Sequence, residues 1–288
     1  MKKLLLILLC LPLLTLAQQT YVPDDNFESY LETHNALGIW VPFGDPTSMG
    51  NGIWSDDSVI TSKINIATFL SIGFQNIFDL TGIEDFTSII SLSCGHNQLS
   101  ILDISMHTNL TALDCSDNQL TNLDLSNNTA LKWLYCFRNQ INSLDLSNNT
   151  ALINLWCNNN QLTTLLLDNN INLEELKCYN NQLISLDVRN GNNSAFTVFW
   201  VIQNPNLTCI NVDDSTWSNN NWTVTNNNIN SQHYFSNNCS EVTSIQEYTT
   251  NKELLKVTDL LGRETKQTNQ PLFYIYDDGT VEKRIVIE

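Results

Sequence analysis

Basic side chains are scarce in this chain. It has 13 lysines and arginines against 30 aspartates and glutamates, a formal charge of −17 over 288 residues. So acidic a surface repels phosphate backbones and anionic lipid, which excludes nucleic acid as a partner. Histidine occurs four times, as His34, His96, His107 and His233, scattered through cap, turns and loop. No serine or cysteine stands in a nucleophile motif of the G-x-S-x-G kind. The chain is therefore not expected to be an enzyme, and no cofactor is implied. Long apolar runs are missing too. No segment approaches the ~20 apolar residues of a membrane helix, so no transmembrane helix is expected.

The one short apolar run lies at the start. Lys2 and Lys3 precede Leu4 to Leu16, a run broken by Pro12 and Thr15, and Leu16-Ala17-Gln18 offers a small residue at a cleavage point. Residues 1–17 read as a secretory signal. Cys10 follows Leu9 rather than a small residue, so a lipoprotein anchor is not expected. The product is expected outside the cell or on its outer surface.

What the chain has in abundance is a repeated phrase. Cys94, Cys115, Cys136, Cys157 and Cys178 recur every 21 residues, and Asn97, Asn118, Asn139, Asn160 and Asn181 follow three residues later, each before a glutamine. A fixed period of this size is the signature of a solenoid. A degenerate copy precedes it. Leu70-x-Ile72-x-x-Gln75-x-Ile77-x-x-Leu80 overlays Leu92-x-Cys94-x-x-Asn97-x-Leu99-x-x-Leu102. A last copy at Phe196-x-x-Phe199-x-Val201-x-x-Asn204 carries two extra residues before it. That makes about seven coils, stacked at ~4.8 Å each.

In a strand such as Leu113-Asp114-Cys115, alternate side chains face opposite ways. Leucine and cysteine turn inward, and the cysteines act as buried fillers. Zinc needs four converging ligands, which a straight column cannot supply, so no metal site is expected. Neighbouring cysteines a strand apart also lie too far from each other for disulfide geometry. The asparagines are expected inside, donating their amides to backbone carbonyls of their own turn and the next coil. A second extended stretch is expected around Leu123-Asp124-Leu125 and its equivalents. It places Asp103, Asp124, Asp145 and Asp187 outside as a solvated acidic stripe, broken by Leu166, on a surface expected to offer no cleft.

The phrase L-x-x-L-x-C-x-x-N-Q-L-x-x-L-D-L-S, clearest at Leu110 to Ser126 and Leu131 to Ser147, resembles leucine-rich repeats. Its period is similar to the 21-residue bacterial class and its cysteine column to the cysteine-ladder internalins. The resemblance implies a β-rich solenoid and is silent about ligand.

The ends read differently. In residues 18–62, Pro23, Asp24 and Asp25 start a helix whose Phe27, Tyr30 and Leu31 share one face; this is expected to cap residues 63–208, the solenoid. Gly38 to Gly52 reads as loop. Residues 209–243 are expected to form a C-terminal cap loop. Cys209 and Cys239 lie outside the ladder register, and a disulfide between them would stabilise that cap by about 3 kcal/mol. Residues 244–288 alternate apolar and polar side chains like strands, with a hairpin signal at Asp277-Asp278-Gly279. Val257-x-Asp259-Leu260-Leu261-Gly262-Arg263, Phe273-Tyr274-Ile275-Tyr276 and Lys283-Arg284-Ile285-Val286-Ile287 resemble the type A sorting domain of the Bacteroidetes type IX secretion system, in reduced length. The resemblance implies passage through the outer membrane by that machinery and gives the sorting motif Asp259, Gly262 and Arg263.

The outward positions of the first strand carry the functional signal. They are small and polar at Ser91, Ser93, Ala112 and Asp114, then aromatic at Trp133, Tyr135, Phe137, Trp156, Tyr179 and Trp200. By register these rings lie outside the leucine core, and exposed aromatics commonly mark binding surfaces. The expectation is a secreted or cell-surface recognition protein that binds an extracellular protein or polysaccharide through this face. The alternative is a structural or adhesive surface protein with no discrete ligand.

Overall fold

A computed structural model describes residues 17–239, 254–258, 264, 271–276 and 281–285. The chain divides into two units, one ending at Cys239 and the other beginning at Ser240. The expected signal falls outside the described residues except for Ala17. Among the described residues no helix is long and apolar enough to cross a membrane.

In the first unit each 21-residue phrase closes one turn of a parallel β-solenoid. Seven strands, from Phe69–Ser71 through Ser91–Ser93, Ala112–Asp114, Trp133–Tyr135, Asn154–Trp156 and Glu175–Lys177 to Val198–Trp200, form one parallel sheet. The central leucine of each strand is aligned with the next, as in Leu113↔Leu134 and Leu134↔Leu155. A second parallel sheet of four strands, Thr164–Leu166, Ser185–Asp187, Cys209–Asn211 and Tyr234–Ser236, covers only the C-terminal coils. Between the sheets lies one core of leucine, isoleucine and the five ladder cysteines. All five thiols are buried and free. Burial pushes their pKa up, that of Cys136 to about 12.

The asparagine column ties coil to coil. Asn139 Nδ2 donates to the Cys136 carbonyl of its own coil at 3.1 Å and to the Cys115 carbonyl at 3.0 Å. Its Oδ1 accepts from Leu120 N at 3.0 Å. Asn97, Asn118, Asn160 and Asn181 repeat this pattern, and Asn204 extends it. The bridged coil is the preceding one, not the next as expected. The asparagine stands past the corner, where its amide reaches back over the turn already laid down.

A second asparagine column escaped the sequence reading. Asn128, Asn149 and Asn170 are fully buried. Asn149 Nδ2 donates to the Leu125 carbonyl at 3.1 Å and the Asn128 carbonyl at 3.0 Å. The Oδ1 atoms of all three meet no donor among the described residues. The signal was present in the doublets Asn127-Asn128, Asn148-Asn149 and Asn169-Asn170, of which only the second member faces in.

The ends are closed by different means. Helix α1 (Asp25–Glu32) is capped by Asp24, whose Oδ1 accepts from Asn26 N and Phe27 N at 3.0 Å. The other oxygen of Asp24 accepts from Phe78 N and Asp79 N, fastening the helix to the first coil. Phe27, Tyr30 and Leu31 are buried. Gly82, at φ +100°, lets this end close. A Cβ there would stand 2.6 Å from the Tyr21 carbonyl oxygen.

At the other end, where loop is expected, the chain forms strand Cys209–Asn211, a helix at Ser215–Asn221 and strand Tyr234–Ser236. Asp214 caps that helix by accepting from Thr216 N and Trp217 N. Trp222 stacks on Phe199 at 3.8 Å and packs edge-on against Phe196 and Trp217, plugging the open core. The Cys209–Cys239 disulfide is formed.

The second unit contributes three antiparallel strands, Leu254–Thr258, Pro271–Tyr276 and Val281–Ile285, in that order. The last two pair as a hairpin, Ile275 opposite Val281. Asp259, Gly262 and Arg263 lie outside the described residues.

Candidate functional site

Three outward columns run along the seven-stranded sheet. Strand register aligns Ala112, Trp133, Asn154, Glu175 and Val198 in the first, and Asp114, Tyr135, Trp156, Lys177 and Trp200 in the second. The third follows the ladder cysteines, as Ser116, Phe137, Asn158, Tyr179 and Ile202. The six aromatic candidates are thus spread over all three columns. Trp133 and Trp200 are 38% and 41% exposed, and Tyr135, Phe137, Trp156 and Tyr179 are half-buried. Part of that burial is mutual. Trp156 lies 4.7 Å from Tyr135 and 6.3 Å from Phe137, and Tyr179 lies 6.3 Å from Trp200.

A cation lies within this group. Lys177 Nζ lies 3.3 Å from the centre of the Trp156 ring and 4.7 Å from that of Trp200. Ammonium over an indole face is attracted by the ring quadrupole. Partial burial lowers the Lys177 pKa and the Glu175 carboxylate opposes the shift. Glu175 also accepts the Trp156 indole N–H at 3.1 Å, fixing that ring. Burial raises the pKa of the Tyr135 hydroxyl, helped by Glu175 and Asp114.

A fourth column borders the aromatic one. Phe74, His96, Asp117, Arg138, Asn159, Asn180 and Gln203 all hold positive φ, between +51° and +60°. Each regular coil turns its corner there. Side chains in this column touch along the solenoid. Phe74 stacks on His96 at 4.0 Å, and Asp117 is 3.6 Å from His96 Nε2 and 3.3 Å from Arg138 Nη1. Asn180 donates to Asn159 Oδ1 at 2.6 Å. Left-handed backbone at non-glycine residues gives no sequence signal when asparagine and aspartate are so common, and the column went unnoticed.

Between the third and fourth columns lies a shallow depression of about 310 Å³. Phe137, Trp156 and Tyr179 wall it, Arg138 and Lys177 bring charge, and Asn158 forms part of its lining. Trp133, Tyr135 and Trp200 stand outside it. Asn158 and Lys177 share the outward register of the aromatics, and nothing in the sequence signalled that they, Arg138, His96 and Asp117 would gather here.

The aspartate side was expected to offer no cleft. It carries shallow grooves, one of about 290 Å³ between Asp124 and Asp145 and one of about 660 Å³ beside Leu80 and Leu102. Their acids are committed to turns. Asp103 accepts from Ser105 N, Asp124 from Ser126 N and Asp145 from Ser147 N, and these serines, through hydroxyl and backbone N–H together, hold the three carboxyls below the usual range. Another acidic group lies in the N-terminal cap, where Asp25, Glu28 and Asp57 bring carboxylate oxygens within 4.8 Å of one another. The cap also exposes Leu37, Ile39, Trp40, Phe43, Ile53 and Trp54.

No protein-family model matches the sequence, and no curated protein is a significant match. Solved structures are similar in fold. The functional domain of InlJ from Listeria monocytogenes, described as including a cysteine ladder, is 24% identical with a TM-score of 0.39, over 68% of this chain and 52% of that one. The internalin inlF from the same organism is 20% identical at 0.48, over 67% of this chain and 65% of that one. Internalin C2, also from Listeria monocytogenes, is 19% identical at 0.48, over 76% and 97%. This chain thus spans about half the length of the first. The structural neighbours are internalin-like leucine-rich-repeat proteins, one with a cysteine ladder, and at these identities the likeness is one of fold alone.

Proposed function

We propose that this chain is a recognition protein, without enzymatic activity, that binds an extracellular protein or polysaccharide through the exposed strand face of its repeats. The observation that carries the reading is the gathering of Trp133, Tyr135, Phe137, Trp156, Tyr179 and Trp200 on one sheet face around a depression that also holds charged and amide groups. Binding sites are typically concave and apolar with a few convergent polar groups. Export through a signal peptide supports an extracellular setting, as does the Cys209–Cys239 disulfide, since such bonds persist in oxidising compartments. The C-terminal segment serves as a reduced type IX sorting signal in this reading.

The test is the double variant Trp133→Ala with Trp156→Ala, compared with wild type in pull-downs from culture supernatant and on glycan arrays. The expected outcome is loss of the wild-type hits with an unchanged melting temperature. Identical hits would reject the face.

A further inference from the structure

The depression contains an amide with nothing to do. Asn158 is 4% exposed, yet its side-chain amide makes no hydrogen bond among the described residues. Its polar atoms are not among the fully buried ones without a partner, and the residue lines the depression. The asparagines on either side behave otherwise: Asn160 and Asn181 each bond two carbonyls and accept an N–H. A nearly buried amide left without a protein partner is unfavourable unless water or a ligand fills the position. It offers two donors and an acceptor.

The neighbours of Asn158 indicate what would fill it. One coil before it is Phe137 and one coil after it is Tyr179, so the two rings belong to coils ~10 Å apart at the usual strand spacing. Carbon contacts on each side take ~3.5–4.0 Å, which leaves room for one further ring above the amide. Charge narrows the class. Between residues 17 and 239 there are only five lysines and arginines, Lys63, Lys132, Arg138, Lys177 and Arg189. Two of the five line this depression. Lys177 takes part in no ion pair among the described residues and is held in place by Trp156 and Trp200. Arg138 is shared with Asp117, whose Oδ2 accepts no hydrogen bond. With His96 neutral, the lining carries one net positive charge inside a chain of −17.

We infer that this depression binds a carboxylate-bearing sugar ring of an acidic polysaccharide. The C–H faces of the ring rest against Phe137 and Tyr179, vicinal hydroxyls pair with the Asn158 amide, and the carboxylate meets Lys177 with Arg138 beside it. An acidic peptide would use the two cations but would leave the amide between aromatic walls unexplained. This inference rests on the recognition reading above and narrows it to one ligand class.

The experiment uses the full chain and calorimetric titration with three probes: uronate oligosaccharides from alginate and from polygalacturonate, the same oligosaccharides reduced at the carboxyl to neutral sugars, and polyglutamate. Binding of a uronate oligosaccharide is expected, at least tenfold weaker after carboxyl reduction. Lys177→Met and Asn158→Ala are each expected to weaken it about tenfold or more, while Ser91→Ala, on the same face three coils before Asn158, leaves it unchanged. Because Asn158 is nearly buried, Lys177→Met is the variant that decides if Asn158→Ala fails to fold. No binding of either uronate series, equal binding after reduction, or binding of polyglutamate alone would overturn the inference. Capture of some other polymer that depends on Trp133 and Trp156 but ignores carboxyl reduction would also overturn it, while leaving the recognition face intact.

Discussion

Both sides of the solenoid present one outward residue between two inward ones in every coil, yet they use it in opposite ways. On the aspartate side the residue hardly changes: Asp103, Asp124, Asp145, and Asp187 after the exception of Leu166. On the sheet side it changes at every step through Ser93, Asp114, Tyr135, Trp156, Lys177 and Trp200. The difference follows from where the backbone finds its partners. In the sheet the N–H and C=O groups pair with the coils above and below, so the ladder needs no particular outward side chain, although Asp114 does accept from Ser116 N. On the other side the early coils have no strand ladder, and each aspartate accepts the N–H two residues on, at Ser105, Ser126 and Ser147. Such Asx turns supply what the missing ladder does not. Leu166, which cannot accept, occurs where the ladder has begun, paired with Asp187. Within one chain, then, the constant column is structural and the variable column is free for recognition.

The strongest way to break this contrast is Trp156→Ala. Binding is expected to fall by at least about 2 kcal/mol, roughly thirtyfold, with little change in melting temperature. A large loss of stability with intact binding would put Trp156 on the structural side.

A pH titration sharpens it next, because the two kinds of acid act with opposite sign. Glu28, buried in α1 and facing Asp56, has its carboxyl pushed up to about 7, by burial first and then by that neighbour. A raised pKa favours the protonated form in the fold. The contribution is therefore full below the ordinary carboxylate range and is lost as pH rises through 7. Stability of the N-terminal cap is expected to fall between pH 5 and pH 8, as read by hydrogen exchange over residues 25–60, and Glu28→Gln should flatten that trend. The column aspartates are shifted down, so their contribution is present above about pH 4 and fades as pH falls through the lowered values. Replacing Asp103, Asp124 and Asp145 together by asparagine keeps an acceptor for each turn. The expected result is an unchanged melting temperature at pH 7 and a shallower acid limb, whereas alanine at the same sites lowers the melting temperature at both. The smallest effect is expected at Ser93→Ala, where neither stability nor binding should move beyond error.

Much of this architecture was legible because periodicity reports direction. A cysteine every 21 residues indicates which side chains face in, and hence that Trp133 and Trp156 face out. Periodicity does not report how a corner bends, so the positive-φ column from Phe74 to Gln203 stayed hidden. Nor does it report which polar atoms lack partners. Asn158 and Asn160 look alike in sequence, and only coordinates distinguish the one that bridges coils from the one left open. The C-terminal closure was illegible for a further reason. Trp217 and Trp222 belong to no repeat, and an asparagine-rich segment reads as loop until tertiary packing on Phe199 stabilises a helix within it.

The corner column has one more consequence. Left-handed backbone costs a non-glycine residue roughly 1–2 kcal/mol. In each coil the N–H at that corner donates to a carbonyl of the following coil: His96 to Ser116, Asp117 to Phe137, Arg138 to Asn158 and Asn159 to Tyr179. The asparagine amides run the other way along the same seam, each reaching back to a carbonyl one coil earlier. A coil is therefore completed only by its successor. Such a solenoid has a grammatical order, in which every clause waits for the next. Synthesised from the N-terminus, each turn can settle only once another has followed, and the Cys209–Cys239 bond with its tryptophan plug acts as the full stop.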